Sequence, residues 1–189
     1  MLFRSKQLFA NRDGPLHMLY RVDGGAIPAG HWTRDSAEGG GRILGEVCHF
    51  LDLMLHLAGA KPVRVYAESM PDDGVTATIR FADQSVGTLV YSTSGSGGLG
   101  KERLEVFGQG TSAVLDDFRS VKVAGAGSAR RVRTGGGKGH QEELRAFLTA
   151  VKAGGPSPVS FAQAAWSTRA TLGIVSSLSV GRPVDLGRE

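Results

Sequence analysis

Five polar residues recur along one apolar stretch: Arg42, Glu46, His49, Asp52 and His56, set among Ile43, Leu44, Val47, Phe50, Leu51, Met54 and Leu55. At about 100° per residue these five fall within an arc of roughly 120° on a helix. The arc is flanked by bulky apolar side chains and holds two histidines but no lysine, which is not the composition of an ordinary solvated face. A histidine with a carboxylate one turn away can take or give a proton near neutral pH. Glu46 and Asp52 flank His49 at i−3 and i+3, so either can orient its ring. The candidate catalytic residues are therefore His49, Asp52 and Glu46, with Arg42 beside them as a substrate contact. The structural alternative stays open from spacing alone: a hydrogen-bonded helix histidine, with Glu46 paired to Arg42 at i−4. A metal site built on Glu46-x-x-His49 would need a second such pair from another helix. The other candidate, Gly139-His-Gln-Glu-Glu143, has its carboxylates after the histidine, and no metal is expected.

The elements that must position this helix can be read along the chain. Residues 1–13 look like the tail of a helix or an interdomain segment, ended by Asn11-Arg-Asp-Gly-Pro15, and 14–189 form one domain. Leu16–Val22 has strand spacing, and a Gly- and Pro-rich loop from Asp23 to Glu38 carries His31 and Trp32. The helix follows from Gly39 to about Leu57, with Gly39-Gly-Gly41 leaving backbone N–H groups open beside a substrate and Gly59 and Pro62 closing it. Val63–Ser69, Val75–Phe81, Val86–Ser92, Arg103–Phe107, Ala113–Asp116 and Ser120–Ala124 read as strands joined by short turns, which favours antiparallel neighbours. Gly139–Ala153 is a helix with Leu144, Phe147, Leu148 and Val151 at helical spacing. Ser160 caps a last helix whose expected buried stripe is Phe161, Ala164, Ala165, Leu172, Val175 and Leu178. The order predicts an α+β fold: an open, mainly antiparallel sheet with helices packed on one face.

Composition bounds the function. The 189 residues, 41% of them hydrophobic, suffice for one domain with a core or for half of a two-domain enzyme. No apolar run is long enough to span a bilayer, and Met1-Leu-Phe-Arg-Ser-Lys carries charge where a signal peptide is apolar. A single cysteine, Cys48, excludes an internal disulfide, and a cytoplasmic location is expected. The net charge of +4 is too small to argue for nucleic acid. The one dense basic cluster, Arg130-Arg131-Val132-Arg133 with Lys138 behind it, lies between glycines and reads as a solvated hairpin or a mobile loop, without aromatic residues for base stacking. Gly95-Ser-Gly-Gly-Leu-Gly100 matches the dinucleotide-binding pattern G-x-G-x-x-G, but that pattern needs a helix directly after it. Arg103-Leu-Glu-Val-Phe107 reads as strand instead. The glycines make a hairpin loop from which Lys101 can reach a substrate.

Several segments together resemble a known family. They are Tyr20-Arg-Val-Asp-Gly-Gly, Ile27-Pro-Ala-Gly-His-Trp32 and Gly39-Gly-Gly-Arg-Ile-Leu-Gly-Glu-Val-Cys-His-Phe-Leu-Asp52. Lys101-Glu-Arg-Leu-Glu-Val-Phe-Gly108, Lys138-Gly-His-Gln-Glu-Glu-Leu144 and Gly181-Arg-Pro-Val184 follow in order. The chain is similar to the C-terminal, substrate-side domain of the glucose–fructose oxidoreductase / inositol dehydrogenase / rhizopine catabolism (Gfo/Idh/MocA) family. The resemblance implies an open sheet that packs with a Rossmann domain and mediates oligomer contacts. It also implies hydride transfer between NAD or NADP and an alcohol carbon of a sugar, cyclitol or nucleotide-sugar-like substrate. It gives His49 the acid/base or substrate-orienting role and matches Asp52, while His31, Trp32, Lys101 and His140 join Arg42 as expected substrate contacts. One departure is Gly45, which stands where many members carry an aspartate, four residues before the histidine. The other is that no Rossmann segment, nor the Glu-Lys-Pro lysine the family uses, is found in the sequence, so the isolated chain is expected to be inactive and to bind no dinucleotide. The competing expectations are a non-catalytic dimerisation or ligand-binding module and a metal-dependent lyase or hydrolase.

Overall fold

The computed structural model describes residues 13–28, 30–32, 40–71, 74–125, 127–133, 137 and 139–187. The expected helix tail at 1–12, residues 33–39 at the end of the expected loop and start of the expected helix, and Lys138 lie outside the described residues. The architecture is the expected one, an open nine-stranded sheet in the order β8-β7-β6-β5-β1-β4-β3-β2-β9, with helices on one face. Its strands are β1 (His17–Asp23), β2 (Pro62–Ser69), β3 (Val75–Phe81), β4 (Val86–Ser92), β5 (Glu102–Gly108), β6 (Thr111–Asp116), β7 (Ser120–Gly125), β8 (Ser128–Arg133) and β9 (Val184–Asp185). Every neighbouring pair is antiparallel except β1 with β4, which run parallel from His17 beside Val86 to Asp23 beside Ser92.

The strands alternate as their sequences do. Met18, Tyr20 and Val22 of β1, Val75, Ala77, Ile79 and Phe81 of β3, and Leu89 and Tyr91 of β4 point to one face and are buried. Against that face lies helix α1 (Cys48–Ala58), entered through one turn of π-helix at Ile43–Val47 and ended by Gly59 in the left-handed region at φ 62°. It buries Val47, Phe50, Leu51, Met54 and Leu55, and burying a side chain such as Leu51 or Met54 is worth about 1.5–3 kcal/mol each. The basic cluster at Arg130–Arg133 forms an edge strand, β8, so of the two expectations for it the hairpin is the one observed.

Two helices close the chain, α2 (His140–Ala153) and α3 (Phe161–Val180). Ser160 begins α3 with a complete capping box to Gln163, as its sequence predicts. Of the expected buried stripe of α3, Ala165 and Leu178 are half-buried, Leu178 against the core, and the remainder is corrected by the structure. Phe161 is 89% exposed and Leu172 and Val175 are exposed, whereas Ser167, Ala170, Thr171, Gly173, Ile174 and Ser177 are buried. The reason is close approach. A Cβ on Gly173 would lie 2.5 Å from Leu186 Cδ2 and 3.0 Å from Val65 Cγ2, so only small residues let α3 settle onto β2 and the chain end. The buried hydroxyls are satisfied: Ser177 Oγ accepts from Ala67 N and donates to the Arg182 carbonyl, and Ser167 Oγ donates to the Cys48 carbonyl.

Candidate active site

The π turn changes how the polar arc is presented. Bonds that reach to i+5 turn the chain less per residue than α-helical ones, so Arg42 and Glu46 are rotated away from the face that carries His49 and Asp52. Gly45, inside that turn, adds no side chain to it. The single 120° arc expected from α-helical spacing is therefore split into two faces. Arg42 is buried, at 5% exposure, and Glu46 half-buried, while His49 and Asp52 are exposed and His56 is half-buried.

Arg42 and Glu46 meet a residue that spacing does not reveal. Arg42 Nη1 donates to the Gly25 carbonyl at 2.9 Å, and Nη2 reaches the Gly24 carbonyl and Glu46 Oε1 at 3.4 Å each. The same guanidinium donates to the Tyr91 hydroxyl and lies over the Tyr91 ring, 5.1 Å from its centroid. Tyr91 in turn donates to Glu46 Oε2 at 2.8 Å. One hydroxyl thus bridges a cation and a carboxylate at the carboxyl ends of β1 and β4. Burial, and then the adjacent Glu46, push the Tyr91 phenol well above its ordinary value, with Arg42 opposing. Gly24 is a glycine because of this cluster: a Cβ there would lie 2.7 Å from Tyr91 Cζ and 2.8 Å from Arg42 Nη2.

A second buried polar pair lies beside the first. Tyr20 donates to Glu102 Oε2 at 2.5 Å, and the two side chains are 1% and 3% exposed. Burial, then Glu102, raises the Tyr20 phenol far above its ordinary value. Phe50 of α1 joins the two clusters, edge-on to Tyr20 at 5.4 Å and tilted against Tyr91 at 5.9 Å. Neither Tyr91 nor the Tyr20–Glu102 pair was singled out from sequence for a role. The available signal was position: each tyrosine sits on the buried phase of its strand's alternation, where a polar tip demands a partner.

The remaining expected residues divide in two. Lys101 lies at the same end of the sheet: its carbonyl accepts from Asp23 N and its own N–H donates to Asp117 Oδ1, while Arg21 donates to the neighbouring Gly100 carbonyl. His31 and Trp32 stack on each other in the loop after β1, ring centroids 5.9 Å apart. His140 opens α2, an exposed helix none of whose residues is buried. On α1, desolvation raises the Asp52 carboxyl above its ordinary value against the opposite pull of His56 and His49. Burial likewise raises the Cys48 thiol. Among the described residues no group of three or more histidine, cysteine or acidic side chains is placed to hold a metal ion. No described helix is long and apolar enough to cross a membrane. The glycine loop Gly95–Gly100 makes a short 3-10 turn at Gly97–Leu99 and leads into β5 rather than a helix, so it lacks the helix N-terminus a dinucleotide pyrophosphate requires.

This fold is shared with solved oxidoreductases. An NAD binding oxidoreductase from Klebsiella pneumoniae superposes with a TM-score of 0.83 at 18% identity, covering 99% of this chain and 63% of its own. An oxidoreductase domain protein from Kribbella flavida gives 0.82 at 16% identity, over 99% and 63%. Levoglucosan dehydrogenase in complex with NADH and levoglucosan gives 0.81 at 23% identity, over 98% and 63%. The class that the fold defines is thus an open-sheet α+β domain. Residues 15–114 match the family model described as the GFO/IDH/MocA C-terminal domain, and the chain belongs to that family. No curated protein matches it by sequence. The chain spans about 63% of the length of these solved relatives.

Proposed function

We propose that this chain is the substrate-facing half of an oxidoreductase that interconverts an alcohol and a carbonyl on a sugar, cyclitol or nucleotide-sugar-like molecule. NAD or NADP is carried by a separate Rossmann domain, since the glycine loop here does not fit a dinucleotide. The observation that carries the proposal is the Arg42–Tyr91–Glu46 cluster on one face of the helix start and the exposed pair His49 and Asp52 on the next. A tied polar cluster one turn before an exposed imidazole and carboxylate fixes the helix that presents the acid/base pair. A sugar-like substrate is supported by the fold's occurrence in levoglucosan dehydrogenase, solved with levoglucosan and with L-sorbose.

When bound, the nicotinamide supplies the hydride acceptor. The imidazole of His49 takes the proton of the substrate hydroxyl in oxidation and returns it in reduction, and Asp52, one turn on, orients the ring and steadies its charge. Glu46, fixed by Arg42 and Tyr91, offers a second carboxylate on the adjoining face of the helix. Lys101, with Arg42 at the same end of the sheet, contacts substrate hydroxyls, and His31, Trp32 and His140 flank the approach. The protein works in the cytoplasm, without membrane or nucleic acid. In the chain joined to a Rossmann domain, His49→Ala should lower turnover by about 10²–10⁴-fold, the range of general acid–base catalysis. An unchanged rate would return His49 to a structural role. A second, non-catalytic reading rests on the open sheet face, where Leu19 and Phe107 are exposed: that face would pair copies of the chain, alongside catalysis or in place of it.

A further inference from the structure

Strand β8 is one outer edge of the sheet, bonded to β7 on one side and to no described strand on the other. An outer strand turns the N–H and C=O groups of alternate residues away from the sheet, where a further strand can pair with them. The opposite edge, β9, is two residues long, whereas β8 offers six.

The side chains of β8 carry charge on both faces. Arg130 stands opposite Val123, which packs on the core, so it lies on the helix face of the sheet. Arg131 and Arg133 lie on the open face, opposite Lys122 and Ser120. All three arginines and Lys122 are exposed. Arg131 donates to the Ser120 hydroxyl at 3.0 Å, but none of the four cations takes part in an ion pair among the described residues. Arg130, Arg131, Arg133 and Lys122 together hold as much positive charge as the chain's whole net charge of +4. Lys122 directly opposite Arg131 is a like-charge cross-strand pair, which weakens a sheet unless a counter-charge is supplied. Charge on an edge keeps identical edges apart, because two copies meeting at β8 would set arginine against arginine. It leaves the edge open to a strand of opposite charge.

We propose that β8 is a docking edge for an acidic, extended segment of a partner protein, which adds to the sheet as a further strand. Backbone bonds to the edge hold the segment, and its carboxylates meet the arginines on both faces. It runs antiparallel, as β5 to β8 do to one another. Opposite Arg133, Val132, Arg131 and Arg130 in turn it presents an acid, an apolar residue, an acid and an acid. A nucleic acid fits this edge less well: Ser128–Arg133 has no aromatic side chain for base stacking, and the free backbone groups match a strand. The proposal goes beyond the oxidoreductase reading and does not depend on it.

The test uses the chain as it is, titrated by fluorescence anisotropy against the labelled peptide Gly-Thr-Val-Glu-Val-Glu-Glu-Thr-Gly. Saturable binding is expected, and it should weaken at least about tenfold between about 0.05 and about 0.3 M salt, as exposed charges are screened. The same peptide with methylated backbone amides keeps its charge but loses its strand donors, and should bind at least about tenfold more weakly. Arg131→Glu and Arg133→Glu should each weaken the unmethylated peptide by at least about as much. Arg80→Glu, exposed on β3 in the other half of the sheet, should leave the affinity unchanged. A peptide with lysine at its second glutamate, the one facing Arg131, should recover binding to Arg131→Glu, which separates lost charge from lost fold. Equal binding of the methylated peptide, or an equal loss with Arg80→Glu, would mean that charge alone attracts the peptide and would overturn the proposal. So would the absence of saturable binding, tighter binding of a DNA duplex under the same conditions, or self-association of the chain that competes with the peptide.

Discussion

Arg42→Met isolates the energetics of the site. The substitution keeps the aliphatic stem, so packing is nearly preserved, and it removes every guanidinium bond. Of those, the bond to the Gly25 carbonyl at 2.9 Å and the one to the Tyr91 hydroxyl are close, while those to the Gly24 carbonyl and Glu46 are long at 3.4 Å. A hydrogen bond involving a charged group contributes about 1.5–3 kcal/mol. Glu46 is 27% exposed and can recover water, so the loss of its ion pair adds little. The expected loss is about 2–4 kcal/mol. Urea denaturation followed by the fluorescence of Trp166, which packs against the core, measures it. A cycle with Tyr91→Phe should give a coupling of at least about 1 kcal/mol, since the two side chains share one network. A loss below about 0.5 kcal/mol, or simple additivity with Tyr91→Phe, would refute the claim that this cluster is a tied unit.

Two further outcomes follow from the same site. Tyr20 and Tyr91 both bind their phenolic protons more tightly in the folded protein than at the ordinary value of 10.0, so their contribution to stability is complete below that pH and is lost as pH rises above it. Unfolding free energies from urea titrations should decline from pH 10 upward, by up to about 1.4 kcal/mol per pH unit for each group, and Tyr20→Phe should flatten the decline; equal slopes for the two proteins would contradict the burial of the Tyr20 proton. Gly24→Ala should lower the melting temperature by several degrees, about 1–3 kcal/mol of overpacking against Tyr91 and Arg42, whereas Gly30→Ala, with nothing within 4 Å of its Cβ, should not. Matching melts for the two variants would rule out the close approach.

The features legible in the sequence were those encoded locally. Alternation in Val75–Phe81 fixed which face of β3 is buried, Ser160 with Gln163 marked a helix start, and Gly59 marked a helix end. Features set by contact between distant segments were not legible. Bulk usually marks a buried stripe, but in α3 the tight seat of Gly173 on Val65 and Leu186 reserves the inner face for small residues. The polar arc before and along α1 reads as continuous in the sequence, because nothing in a 100° wheel announces a π turn between Arg42 and His49. Arg42 and Glu46 were named as a possible pair, but the hydroxyl that joins them lies on β4, 45 residues beyond Glu46.

The place of β1 has a consequence for how the molecule assembles. Strands β2, β3 and β4 form one run of sequential neighbours and β5 to β8 another, and the two are joined only through β1, which bonds β4 on one side and β5 on the other. Each run closes through short turns, but β1 must span 69 positions to pair His17 with Val86 and 90 to pair it with Phe107. Loop closure over such distances is slow relative to hairpin formation. The first strand in the chain is thus the keystone of the sheet, and the buried clusters at its carboxyl end form only when both runs have closed on it.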